Sequence, residues 1–112
     1  MASISDTVNQ ILGVTVQHES GGNWGAVNRR TKAYGAFQIM PSNWAPWCRE
    51  AGLPANAPKT RENQIKVARH KMTEYVGKYG VKGAFAAWYG GPVNGYRYSH
   101  GYSTDAKGRP WT

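Results

Sequence analysis

Cysteine, acidic residues and long apolar runs are all scarce in this sequence of 112 residues. The one cysteine, Cys48, excludes an internal disulfide and a cysteine-based metal cluster. His18, His70 and His100 lack the spacing of a zinc site, so we predict no metal and no cofactor. No apolar run is long enough to span a membrane, and the chain does not open on a basic segment followed by an apolar core. We therefore expect no stable membrane insertion, and a product made in a cytoplasm without a signal peptide.

Acidic residues are outnumbered by 14 Lys and Arg to 6 Asp and Glu, which gives a formal net charge of +8. A field of this sign attracts polyanions, among them nucleic acid and the acidic polymers of a cell envelope, although it also serves solubility alone. Aromatic residues are abundant, with five Trp, seven Tyr and two Phe. Flat exposed rings suit sugar faces or bases, while core packing is the default for any single ring.

The length of the chain predicts a single domain over 1–112, which leaves no room for a separate binding module. Hydrophobic periodicity predicts a mainly α fold with helices over 5–19, 46–51, 61–79 and 81–89, and a loop or tail over 93–112. The third helix is predicted to carry a basic outer face of Lys66, Arg69, Lys71 and Lys78. The last helix is predicted to turn Val81, Ala84, Phe85 and Trp88 inward.

Glu19 closes the first predicted helix on its apolar side. It lies seven residues beyond Leu12 and three beyond Val16, so it continues their face, and Gly21-Gly22 then stops the helix. A carboxylate at this position is partly desolvated, which raises its pKa toward the range that a general acid needs. Spacing alone favours the alternative, a Glu that turns into solvent at a frayed helix end.

Three short motifs follow one another in a distinctive order. They are Glu19-Ser20-Gly21-Gly22-Asn23, the segment from Gly35 to Pro41, and the segment from Ala87 to Pro92. Together they resemble the catalytic domain of lytic transglycosylases and goose-type lysozymes, and the resemblance covers residues 8–92. It implies a lysozyme-like α domain in which Glu19 is the single catalytic acid and base. The other matched positions are expected to support the site or to line the sugar cleft: Ser20, Gly35, Gln38, Met40, Tyr89 and Gly91.

The third motif departs from the family pattern, which has tyrosine followed by asparagine where this chain has Trp88 and Tyr89. We expect Trp88 to be mostly core and Tyr89 to supply the family hydroxyl near the catalytic carboxylate. In the alternative, Trp88 takes the place of the family tyrosine, and the hydroxyl comes from Tyr96, Tyr98 or Tyr102.

The resemblance implies cleavage of the β-1,4 bond between N-acetylmuramic acid and N-acetylglucosamine by a lytic transglycosylase. Glycosidases commonly use two carboxylates, and Asp105 is the remaining candidate for a second acid. A one-carboxylate route through Glu19 does not need it. The alternatives are a hydrolytic lysozyme that uses the same Glu19, a catalytically dead wall-binding protein, and a basic nucleic-acid-binding domain.

A small enzyme of this kind without an export signal resembles a bacteriophage lysin or a virion-associated wall-degrading protein. Its expected partners are the glycan strands of bacterial peptidoglycan, together with other phage virion or tail proteins, and not nucleic acid. It is expected to act on the bacterial cell wall.

Overall fold

The fold is mainly α, as the sequence predicts. The computed structural model describes residues 3–111, with helices α1 (Ile4–Ser20), α2 (Pro41–Glu50), α3 (Arg61–Gly90) and α4 (Pro92–Ser99). Two compact units divide the chain, residues 1–71 and 72–112, and the expectation of a single domain over 1–112 stays a prediction. In the described range, no helix combines the length and the apolar character needed to cross a membrane.

Helix α1 agrees closely with its prediction. The Ser3 hydroxyl accepts a hydrogen bond from the Asp6 amide at 3.1 Å and caps the N-terminus. Val8, Ile11 and Leu12 are buried along one face. The helix thereby carries its C-terminal end, and Glu19 with it, as a continuation of a core-facing stripe.

Helix α2 begins at Pro41, five residues before the predicted start at Pro46. Pro41 occupies the first helical turn, where a missing amide hydrogen costs nothing, whereas Pro46 lies inside the helix. Buried contacts hold the helix in spite of that proline: the Trp44 indole donates to the Ala57 carbonyl at 2.9 Å, and Cys48 is fully buried.

Lys71 does not belong to a basic outer face, which corrects the prediction. Its side chain is only 7% exposed, and its Nζ lies 2.8 Å from Glu50 Oε1 and 5.1 Å from the centre of the Trp47 ring. A buried ammonium requires such a counter-charge. This pair therefore ties the end of α2 to α3 within the first unit.

Helix α3 is interrupted at Gly80, whose φ of 74° and ψ of 177° are not helical. The prediction that Gly80 ends one helix and that another follows is therefore confirmed in substance. Ala84 is buried as predicted, but Val81 is 41% exposed and not inward. Val81 directly follows the break, so its direction is set by the turn at Gly80 and not by the face of the preceding helix.

Residues 92–99 form helix α4, whereas the sequence predicted loop or tail from 93 onward. The helix packs through Gly95, which is buried against Tyr79 and Ala87. A Cβ on Gly95 would lie 2.6 Å from the Tyr79 ring and 2.9 Å from Ala87 Cβ. The segment is ordered because a glycine lets two helical stretches of the second unit approach closely.

The substitution Gly95→Ala is expected to lower the free energy of unfolding by about 1–3 kcal/mol, because the added methyl group overpacks this contact. Gly13→Ala is the matched control, since Gly13 lies in α1 with nothing near its missing Cβ. There alanine should stabilise the helix by about 0.5–1 kcal/mol. Urea denaturation followed by circular dichroism measures both, and two changes of the same sign would contradict the packing role of Gly95.

Candidate active site

Glu19 lies in the last turn of α1, directly before a left-handed glycine. Gly21 has a φ of 63° and donates its amide hydrogen to the Gln17 carbonyl, which ends the helix. The Glu19 side chain is 20% exposed, between core and surface. Ser20 Oγ donates to the Val16 carbonyl and accepts from the Gly22 amide, both at 3.2 Å, so this hydroxyl holds the turn that follows Glu19.

Burial raises the pKa of the Glu19 carboxyl above its ordinary value, and the His18 imidazole opposes the shift. His18 Nδ1 lies 4.0 Å from Glu19 Oε1, beyond hydrogen-bond distance. Within residues 3–111 neither carboxylate oxygen accepts a hydrogen bond. Since no buried side-chain oxygen in that range lacks a partner, both Glu19 oxygens reach solvent. Glu19 is therefore a half-buried acid that holds its proton to higher pH and offers it outward.

The second motif forms a tight turn between two bridged residues. Tyr34 pairs with both Val27 and Ile39 in antiparallel bridges, and the Gln38 amide donates to the Gly35 carbonyl at 3.2 Å. Gln38 has a left-handed φ of 52°, which is unfavourable for a residue with a side chain. Local hydrogen bonds must offset that cost.

The Gln38 side chain supplies those bonds. Its Nε2 donates to the Gly35 carbonyl at 2.9 Å and to the Ala26 carbonyl at 3.3 Å. Both amide hydrogens thus hold the turn, and only Oε1 remains for a ligand. The structure brings Gly35 and Gln38 into direct contact, while the assignment of both to a sugar cleft stays a prediction.

Gln64 is the residue that sequence reasoning missed. Its side chain is buried on α3, where Oε1 accepts from the Ala36 amide at 2.9 Å. Its Nε2 donates to the carbonyls of Trp24 and Lys59, at 3.1 and 2.9 Å. The available signal was its position four residues before Ala68, on the inward face of a helix. A polar residue on an apolar face suggests buried polar groups that need partners.

Gly35 is required beside Gln64 for two reasons. Its φ of 87° favours glycine, and a Cβ there would collide with the Gln64 side-chain amide. The amide could not then reach the Ala36 amide. The glycine of the second motif therefore serves the main-chain geometry of the turn.

Three aromatic side chains lie at this turn. The Trp24 ring meets Phe37 edge to face at 5.8 Å, and the Arg61 guanidinium lies 4.6 Å from the Trp24 ring centre. Lys59 Nζ lies 5.1 Å from the Tyr34 ring centre. Both cations are exposed, so the turn is bordered by rings and positive charge.

Met40, the N-cap residue of α2, is 39% exposed. Its assignment to a cleft wall stays a prediction.

The third motif lies in the second unit. Tyr89 is 46% exposed and its ring stacks on Phe85 at 6.2 Å, whereas Trp88 is half-buried and meets the buried Tyr75 edge to face. Gly91 has a φ of 92° and caps the N-terminus of α4, so the motif begins a helix. The assignment of Tyr89 and Gly91 to substrate binding stays a prediction.

Asp105 serves the C-terminal turn. Its carboxylate accepts from the amides of Lys107 and Arg109, both at 2.9 Å, and from Arg109 Nε at 3.2 Å. These contacts hold the pKa of Asp105 below its ordinary value. A carboxylate so engaged is a poor second acid. Over the described range, no three side chains of His, Cys, Asp or Glu gather as a metal site requires.

Known proteins share this sequence pattern. A model of the transglycosylase-like domain family matches residues 7–88. Resuscitation-promoting factor RpfC of Mycobacterium tuberculosis is 41% identical over 58 residues, which cover 52% of this chain and 39% of that protein. The chain thus matches well under half the length of this relative. No solved structure matches the chain.

Replacing Gln64 by leucine is expected to lower the free energy of unfolding by about 1–3 kcal/mol, because the buried Ala36 amide and two part-buried carbonyls lose their partner. Asn63→Leu is the matched control, since the neighbouring amide is exposed and donates only to the Pro58 carbonyl. Urea denaturation of the two variants measures the difference. Equal losses would show that Gln64 does not organise the turn.

Proposed function

We propose that this chain cleaves the glycan backbone of bacterial peptidoglycan. The proposal starts from the fact that the chain belongs to the transglycosylase-like domain family. The observation that carries the proposal is the state of Glu19. Its carboxyl is partly buried, its pKa is raised, and within residues 3–111 neither of its oxygens accepts a hydrogen bond. A general acid near neutral pH needs these properties together.

The proposed reaction uses one carboxyl twice. Glu19 donates its proton to the glycosidic oxygen, so that the bond from N-acetylmuramic acid C1 to N-acetylglucosamine breaks and the leaving sugar gains a hydroxyl. The substrate's own N-acetyl oxygen stabilises the positive charge at C1. The Glu19 carboxylate then takes the proton of the muramic C6 hydroxyl, whose oxygen bonds to C1 and closes a 1,6-anhydro ring.

Water is the competing nucleophile in the second step. If water replaces the C6 hydroxyl, Glu19 takes its proton and the product is a reducing sugar, as in a lysozyme. We propose the anhydro route as the main one, because a hydroxyl of the bound sugar is held next to C1 and reacts as if at very high concentration.

The nucleic-acid alternative has less support. Charge and rings alone suggested it, whereas the match to a transglycosylase-like family over 7–88 spans the first two motifs. A phage origin, virion or tail partners and action at the cell wall remain part of the proposal. Mass spectrometry of purified virions would detect the chain if it is a virion component.

Glu19→Gln is expected to reduce the release of muropeptides from purified sacculi by at least about two orders of magnitude, because the amide cannot donate or accept the proton. Mass spectrometry of the wild-type digest identifies anhydro or reducing ends. Glu74→Gln is the control, since that carboxylate pairs with Lys78 on the surface of α3. Activity of Glu19→Gln near that of the control, with an unchanged circular dichroism spectrum, would exclude Glu19 as the acid.

The same variant should be more stable than the wild type at pH 7. At that pH the partly buried Glu19 carboxylate is charged, which destabilises the folded state. Glutamine is neutral and removes this destabilisation. Because the folded-state pKa of Glu19 lies above its ordinary value of 4.5, the folded state binds the proton more tightly. The stabilisation is therefore lost as the pH falls through the folded-state pKa and below 4.5. Urea denaturation across this range tests it, and a pH-independent difference would contradict the pKa shift.

A further inference from the structure

An exposed cluster of rings lies beyond residue 88, where the family match ends. Tyr96 is 49% exposed and Tyr102 is 46% exposed, and His100 is also exposed. Rings at this level of exposure contribute little to a core. Their arrangement therefore needs another explanation.

The cluster is held together by direct contacts. The Tyr96 and His100 rings stack at 3.9 Å with an angle of 24° between their planes, and His100 Nδ1 hydrogen-bonds the Tyr96 carbonyl at 2.9 Å. The Tyr102 ring lies 6.4 Å from that of Tyr96. The other two rings both lie beside Tyr96, and we call the three the Tyr96 cluster.

The backbone under the Tyr96 cluster is also fixed. The Arg97 guanidinium lies 4.4 Å from the Tyr102 ring centre and donates to the carbonyl and the hydroxyl oxygen of Thr104, both at 3.0 Å. The Trp111 indole donates to the Tyr102 carbonyl at 2.7 Å. Rings ordered in this way lose little entropy when a ligand binds.

The chemistry of the cluster favours a sugar polymer with acidic groups. The face of an aromatic ring is electron-rich and attracts the weakly positive C–H bonds of a pyranose face. The surrounding segment 92–111 carries Arg97, Lys107 and Arg109 against the single acid Asp105. Such a segment suits the carboxylates that accompany the glycan of a cell wall.

We propose that the Tyr96 cluster, which lies beyond the family match, is a glycan-binding surface that holds a peptidoglycan strand by stacking on its sugar rings. This rests on the proposed function for the choice of glycan, but not on Glu19 catalysis. Such a surface adds to the affinity of a small chain for an insoluble polymer.

Binding is tested in the Glu19→Gln protein, which should bind purified sacculi without cleaving them. Adding Tyr96→Ala and Tyr102→Ala together is expected to raise the Kd in a sedimentation assay at least about tenfold, as for the loss of stacked rings elsewhere. The matched pair Tyr96→Phe and Tyr102→Phe keeps the rings and should keep the Kd. An unchanged Kd in the alanine variant would overturn the proposal.

A second measurement needs no substitution in the cluster, in case the alanine variant unfolds. Soluble glycan strands added to the Glu19→Gln protein should shift the His100 ring signals in nuclear magnetic resonance spectra, and the absence of any shift would overturn the proposal. A single-stranded oligonucleotide is the competing ligand, and preferential shifts with it would assign the surface to nucleic acid instead. Lysis by the wild-type chain is measured in a separate assay. Failure of the proposed catalysis by Glu19 can therefore be distinguished from failure of the Tyr96 cluster to bind glycan.

Discussion

The side-chain amide of Gln64 is the constraint on which the turn of the candidate site depends. Its oxygen and both of its hydrogens bind main-chain groups at Ala36, Trp24 and Lys59, which lie on two separate segments. Each of these groups would otherwise lose its hydrogen bond on burial, at a cost of about 1–3 kcal/mol. One side chain on α3 therefore sets the position of both segments, and the network is strong only while it is complete.

The residues of the second motif accordingly serve mainly to hold the structure of the turn. Gly35 leaves space for the Gln64 amide. The side-chain amide of Gln38 donates both of its hydrogens to carbonyls that close the turn in which Gln38 lies. Ser20 similarly bonds the turn after α1. Glu19 differs from these residues, because within residues 3–111 its carboxylate holds no turn by a hydrogen bond.

The sequence predicted what repeating aliphatic residues control. The face of α1 depends on local spacing, and Val8, Ile11 and Leu12 are buried along it. The predicted start of α2 at Pro46 was wrong, because a tertiary contact at Trp44 offsets the local cost of a proline inside the helix. Lys71 and Gln64 were missed because a buried polar side chain depends on partners far along the chain. Helix α4 was missed because its contact is made by a glycine, which leaves no hydrophobic pattern.

The complete burial of Cys48 in α2 has a consequence for the chemistry of the whole chain. The thiolate is the reactive form of cysteine, and burial raises the pKa of the Cys48 thiol while it excludes reagents. A lone cysteine on a surface would join two copies by an intermolecular disulfide under oxidising conditions. Here the fold itself buries the one cysteine through which such a cross-link could form, so the native chain resists disulfide dimerisation and loses that protection once it unfolds.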